Sequence, residues 1–246
     1  MKTIILAGGL GTRMAEYTKT IPKPMVKVNG IPILLHIIKI YVNYGFNDFI
    51  LSLGYKADVV VKYFLKNKSY SSYQLKKGIE VKKKINKINC NIKMVYTGKN
   101  TMTGGRIKLL KKHIKSKTFM CTYGDGVANI NIKKLIEFHK KHGKQATVTA
   151  VRPMSRFGRL SLKNNLVTKF KEKSQMDSGW INGGFFVFEK KFIDSIKNSK
   201  TILEREPLEL ASRRKDLVAF KHKKFWHCMD TKRDRDLLNK LIKNEL

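Results

Sequence analysis

Residues 6–13 read Leu6-Ala7-Gly8-Gly9-Leu10-Gly11-Thr12-Arg13, an apolar strand end that empties into a glycine-rich loop and closes on an arginine. Glycines in such a loop free successive backbone N–H groups to converge on an anion, and the arginine adds a bidentate phosphate donor. The loop matches neither of the two commonest phosphate binders. A P-loop ends in Gly-Lys-Ser/Thr, and the dinucleotide fingerprint has a third small residue where this chain has Met14. Glycine turns after strands also occur without any ligand, so the loop alone leaves a phosphate role and a plain turn both open.

Outward from this loop, strand and helix patterns alternate. The spacing predicts strands at 3–6, 48–53, 92–96, 119–123 and 146–151, with helices at 33–41, 58–65, 106–114 and 132–142 between them. That alternation implies an α/β fold: a mostly parallel, Rossmann-like sheet covered by helices on both faces, with ligands beyond the carboxyl ends of the strands. After Arg152 the texture changes to short strands at 160–162, 167–170 and 181–188, which predict a small antiparallel lobe at the sheet edge. A helix at 207–212, strands at 217–220 and 225–228 and a terminal helix from Arg233 complete the chain. There is no linker or repeat, so residues 1–246 read as a single domain.

Composition narrows the class. The 246 residues carry 52 Lys+Arg against 18 Asp+Glu, a formal charge of +34, yet 42% are hydrophobic, which excludes a disordered polycation. Of the basic residues 42 are lysine and only 10 arginine, whereas readout of bases and phosphates favours the arginine fork. The excess therefore reads as a solvated, lysine-tolerant surface, and no specific nucleic-acid partner is expected; the scarcity of acids stays unexplained. Cys90, Cys121 and Cys228 form no C-x-x-C pair, which fits a reducing cytoplasm. No apolar run approaches the roughly 20 residues that span a bilayer, so no membrane partner is expected.

Four further segments carry candidate chemistry. Pro22-Lys23-Pro24 brackets one ammonium between two residues that restrict the backbone. Tyr123-Gly124-Asp125-Gly126 places a carboxylate at a strand end between glycines, where it could hold Mg2+ or simply serve the turn, and Met229-Asp230-Thr231 offers a distant second acid. Phe170-Lys171-Glu172-Lys173 and Ile181-Asn182-Gly183-Gly184 place charges and an amide at strand ends, suited to a sugar phosphate and equally to ordinary surface. The six histidines show no metal-ligand spacing.

In this order, LAGGLGTRM, Thr18 with PKPM, TYGDG, FKEK, INGGF and MDT resemble the sugar-1-phosphate nucleotidyltransferases. The segment 100–106 (NTMTGGR), FHKKHGKQAT at 138–147, Arg156-Phe157-Gly158 and Phe225-Trp226 are most similar to the cytidylyltransferase branch that acts on glucose 1-phosphate. The resemblance implies a nucleotide-binding part at about 1–150 and a sugar-phosphate-binding and C-terminal part at about 151–246. By it, Leu6, Ala7, Gly8, Gly9, Leu10, Gly11, Thr12, Arg13, Lys23, Thr101, Arg106 and Gly124 would form the nucleotide site. Arg13, Lys23 and Asp125 would be catalytic, Asp125 and Asp230 would hold Mg2+, and Glu172, Lys173 and Asn182 would hold the sugar phosphate. The implied substrates are CTP and glucose 1-phosphate, with UTP or dTTP as alternatives to CTP, in a homo-oligomer supplying deoxysugars for surface polysaccharide. A catalytically silent binding module is the rival from another class. The chain departs from the family at Ser174, where proline is usual, and at Arg159, where a small residue is usual; the lysine-rich stretch 66–93 also looks shortened.

Overall fold

The computed structural model describes residues 1–66, 68–153, 158–171 and 179–245. Its central sheet has eight strands: β1 (Thr3–Ala7), β2 (Asp48–Leu53), β3 (Ile79–Ile85), β4 (Ile88–Tyr96), β5 (Thr118–Tyr123), β6 (Ala146–Val151), β7 (Ile181–Glu189) and β8 (Leu217–His222). Their spatial order is β8-β6-β7-β5-β1-β2-β4-β3. The pairs β4-β2, β2-β1, β1-β5 and β6-β8 are parallel. Only β7, antiparallel to β5 and β6, and the edge strand β3, antiparallel to β4, run the other way.

Side-chain alternation explains why the sheet is covered on both faces. Every residue of β1 is buried, as a continuous apolar run in the middle of a parallel sheet requires. Ile5 and Ala7 join one core with the helices Ile33–Val42, Ala57–Leu65, Ile132–His142 and Lys232–Glu245. Ile4 and Leu6 join the other, with the helices Thr103–Leu109 and Glu206–Arg213. The period of two along the strand divides the apolar residues between the two layers.

Four features differ from the sequence expectation. The strand at 181–188 is β7, inside the main sheet and not in the lobe: Phe185 and Val187 face one core, Phe186 and Phe188 the other, so this run needs cover on both sides. The lobe is a two-stranded hairpin, Arg159–Lys163 paired with Leu166–Lys171. Strand β3 was not anticipated because its Glu80-Val81-Lys82-Lys83-Lys84 run hides a half-buried alternation under charge; lysines on an edge strand discourage pairing with another chain. The helix expected at 106–114 is Thr103–Leu109 followed by a single 3-10 turn, Lys111–His113. Among the described residues no helix is long and apolar enough to cross a membrane.

Candidate active site

The carboxyl ends of β1 and β5, with the start of β7, open onto one cleft of ≈ 530 Å³. Its rim and floor bring together residues far apart in the chain, among them Gly8, Lys23, Thr101, Asp125, Asn182 and Asp230.

The glycine loop owes its shape to one buried arginine. Arg106, 4% exposed, donates to the carbonyls of Gly8 (2.8 Å), Gly98 (2.9 Å), Leu53 (3.3 Å) and Lys99 (3.4 Å) and to the Thr97 hydroxyl (2.8 Å). A β-carbon on Gly8 would lie 2.2 Å from Arg106 Nη1 and 2.9 Å from the Gly54 nitrogen, so only glycine fits where the loop crosses this guanidinium. Burial lowers the Arg106 pKa, and the backbone carbonyls replace the water it has lost. The helix carrying Arg106 begins at Thr103-Gly104-Gly105, and a β-carbon on Gly105 would meet the Ser199 carbonyl oxygen at 2.3 Å. That pair of glycines lets residues 199–203 dock on the helix: Met102 N donates to Ser199 O (2.9 Å) and Gly105 N to Thr201 O (3.1 Å).

Charge is concentrated on the cleft floor. The Lys23 ammonium bridges Asp125 Oδ2 (2.7 Å) and Asp230 Oδ1 (2.6 Å), and Arg13 Nη1 reaches Asp230 Oδ2 (2.7 Å). Burial acts to lower the Lys23 pKa, but the charge of Asp125 and hydrogen bonds to both carboxylates outweigh it and raise the value above the ordinary 10.5. The ammonium is therefore firmly protonated at neutral pH. Asp230 meets Asp125 through a short antiparallel ladder: Gly126–Ala128 pairs with Trp226–Cys228, and Met229 N donates to Asp125 O (2.9 Å). Beyond it, Thr231 and Asp234 form a reciprocal cap at the start of the last helix. Asp234 N donates to Thr231 Oγ1 (3.2 Å), while Asp234 Oδ2 accepts from the backbone nitrogens of Asp230 (3.0 Å) and Thr231 (2.8 Å). The Met-Asp-Thr segment is thus held from both sides.

Ligand atoms of Asp125, Cys228 and Asp230 all lie within 4.8 Å of one another. Two carboxylates suit Mg2+, which completes its shell with water and phosphate oxygens. The thiol does not suit that ion; burial, reinforced by the two carboxylates, pushes the Cys228 pKa up.

At the other end of the cleft Asn182 Nδ2 donates to the Tyr123 hydroxyl (3.0 Å), which donates to Glu204 Oε1. Thr103 Oγ1 donates to the second oxygen of Glu204 (2.7 Å), and Asn182 Oδ1 accepts from Gly184 N (2.8 Å). The amide is fixed in orientation. Trp226 Nε1 closes the wall on Gly183 O (2.8 Å).

Of the residues singled out in the sequence, Leu6, Gly8, Gly9, Gly11, Thr12, Arg13, Lys23, Thr101, Arg106, Gly124, Asp125, Asn182 and Asp230 line the cleft. Ala7 is instead packed in the core, and Leu10 is 44% exposed outside the cleft lining. Arg106 reaches the cleft, yet its donors are spent on backbone carbonyls and the Thr97 hydroxyl, so it shapes the loop. Glu172, Lys173 and Ser174, with Arg156 and Phe157, lie outside the described residues. Sequence reasoning assigned no role to Tyr123, Glu204 or Cys228: Tyr123 entered only as the strand end before Asp125, Glu204 lies in no motif, and a single cysteine carries no ligand spacing.

Residues 2–232 match the nucleotidyl transferase family. The chain is 45% identical to a glucose-1-phosphate cytidylyltransferase of Salmonella typhimurium over 98% of its length and 95% of that protein. It is 42% identical to a probable glucose-1-phosphate cytidylyltransferase of Bacillus subtilis over 98% of its length and 96% of that protein. Among solved structures it resembles HddC from Yersinia pseudotuberculosis at 26% identity, with a TM-score of 0.72, over 98% of this chain and 99% of that one.

Proposed function

The chain belongs to the nucleotidyl transferase family, and we propose that it transfers a cytidylyl group from CTP to glucose 1-phosphate, releasing pyrophosphate and CDP-glucose. Identity along nearly the whole chain to two glucose-1-phosphate cytidylyltransferases carries the choice of base and sugar. The cleft supports the chemistry. A phosphate oxygen of the sugar attacks the α-phosphorus of CTP in line with the departing pyrophosphate, and no covalent protein intermediate is needed.

Both reactants are anions, so the protein must align them and offset charge that develops between them. Backbone N–H groups of the glycine loop and the Arg13 guanidinium receive the triphosphate, while Arg106 holds the loop carbonyls away from the phosphates. Lys23, protonated and fixed on the floor, delivers its charge at the reacting centre. Thr101 and Gly124 border the nucleotide, and Asn182, oriented by Tyr123, receives the sugar hydroxyls together with Glu172 and Lys173. Asp125 and Asp230 would hold a divalent cation, Mg2+, which when bound neutralises phosphate charge and polarises the α-phosphoryl group. On this reading residues 1–150 form the nucleotide part and 151–246 the sugar part of one domain.

The enzyme works as a homo-oligomer in the cytoplasm. Leu160 paired with Phe170, and Leu162 with Val167, leave apolar side chains of the hairpin about half exposed or more, and a two-stranded ribbon is marginal unless covered. Sedimentation of wild type and Phe170→Lys tests this, a monomeric wild type being the contrary result. Pyrophosphate release tests the activity itself. Release that requires CTP, glucose 1-phosphate and a divalent cation together is expected, and its absence overturns the proposal.

A further inference from the structure

Cys228 has no part in the reaction as derived, yet its sulfur lies among the groups that would hold the metal. Asp125, Cys228 and Asp230 each offer one ligand atom, all within 4.8 Å of one another. The three are brought together by rigid pieces: the ladder between Gly126–Ala128 and Trp226–Cys228 fixes the Cys228 backbone, and the Thr231–Asp234 cap fixes the backbone at Asp230. A cation already sits between the carboxylates, since Lys23 Nζ is 2.7 Å from one and 2.6 Å from the other. The spot is therefore cation-binding by construction, and one of its walls is a soft ligand.

Hard and soft cations would treat this wall differently. Mg2+ takes oxygen ligands and gains nothing from a thiol, whereas Zn2+ and Cd2+ bind thiolate strongly and accept mixed sulfur and carboxylate sets. We propose that this cleft is also a site for a thiophilic divalent cation, held by Cys228 Sγ and one oxygen each of Asp125 and Asp230. The sulfur–metal bond forms as the thiol proton leaves to solvent, with no change in oxidation state. Zn2+ thereby competes with Mg2+ for Asp125 and Asp230, so a soft metal inhibits the enzyme at its own metal site.

The inference deepens the reading of the same cleft but requires only that these three residues converge, so it is tested without substrates. Reduced protein is titrated with Cd2+ while the ultraviolet thiolate-to-cadmium charge-transfer band is followed, and the titration is repeated on Cys228→Ser, Cys228→Ala and Asp230→Asn, each checked for folding by circular dichroism. Wild type develops the band at one equivalent. Both cysteine variants lose it with an affinity drop of about 100-fold, while Asp230→Asn keeps the band at weaker affinity. Cys90 and Cys121 are fully buried in the core and contribute no band. A band that persists in Cys228→Ser, or wild type that binds Cd2+ without one, overturns the inference. CTP turnover by the same preparation shows separately whether the proposed function stands.

Discussion

Replacing Arg106 by methionine separates a residue that shapes the glycine loop from one that grips the nucleotide. Its three shortest bonds, to Gly8 O, Thr97 Oγ1 and Gly98 O, span 2.8–2.9 Å inside the protein. Bonds from a charged donor contribute about 1.5–2 kcal/mol each, hence about 5 kcal/mol in all, and removing a buried charge returns about 2 kcal/mol of desolvation. The net loss is about 3 kcal/mol. Gly8 O keeps a bond from Tyr55 N (3.2 Å), which limits the damage at that carbonyl. For a chain of this size, 3 kcal/mol corresponds to a fall in Tm of about 6–12 °C. Urea unfolding followed by tryptophan fluorescence, without nucleotide, measures the stability, and the KM for CTP is measured alongside; it should rise roughly tenfold as the loop loosens, about 1.4 kcal/mol. Stability within about 0.5 kcal/mol of wild type, combined with a 100-fold rise in KM, would refute the reasoning by showing that the guanidinium serves the ligand.

Gly8→Ala places a methyl group 2.2 Å from Arg106 Nη1 and should reproduce the Arg106→Met phenotype; a double variant no worse than either single one confirms that both act on the same loop. Lys23→Ala and Asp125→Asn should each remove orders of magnitude from kcat while remaining folded, and full turnover by Lys23→Ala would sink the mechanism. Tyr123→Phe removes the hydroxyl that accepts from Asn182 and should raise the KM for glucose 1-phosphate several-fold with little effect on that for CTP. Burial lowers the pKa values of His36, His139 and His222, which therefore stay neutral to lower pH in the folded chain than in the unfolded one. The unfolded chain takes up protons at these sites below its ordinary value of about 6.5, so stability holds above that pH and declines as pH falls through it. Urea midpoints at pH 7.5 and 5.5 check the sign, a higher midpoint at 5.5 being the contrary result.

Local patterns made much of the site legible, because each motif is a continuous stretch that ends a strand or opens a helix. Gly8 follows β1 and Asp125 follows β5, so their position at the carboxyl edge could be read from alternation alone. What brings Asp230 onto Lys23 could not be read, since the ladder joining 126–128 to 226–228 bridges a hundred residues and leaves no periodicity. The same holds for Glu204, whose partners Tyr123 and Thr103 lie on separate elements. Strand β7 was legible as a strand, but its place in the main sheet followed from cover on both faces, which a four-residue apolar run does not announce. The role expected of Arg106 shifted for a related reason: sequence shows a cation near a glycine loop but not which oxygens consume its donors. Three of the few acids, Asp125, Asp230 and Glu204, prove to organise the cleft, whereas the lysines at 82–84 lie on the edge strand β3. Those three lysines are thus separate from the cleft.

The central claim is the identity of the nucleotide. Glucose 1-phosphate incubated with an equimolar mixture of CTP, UTP, dTTP and GTP and the divalent cation, with products separated and weighed by mass spectrometry, tests it most directly. CDP-glucose as the dominant product is the predicted result. A mixture dominated by UDP-, dTDP- or GDP-glucose, or no nucleotide sugar at all, would contradict it.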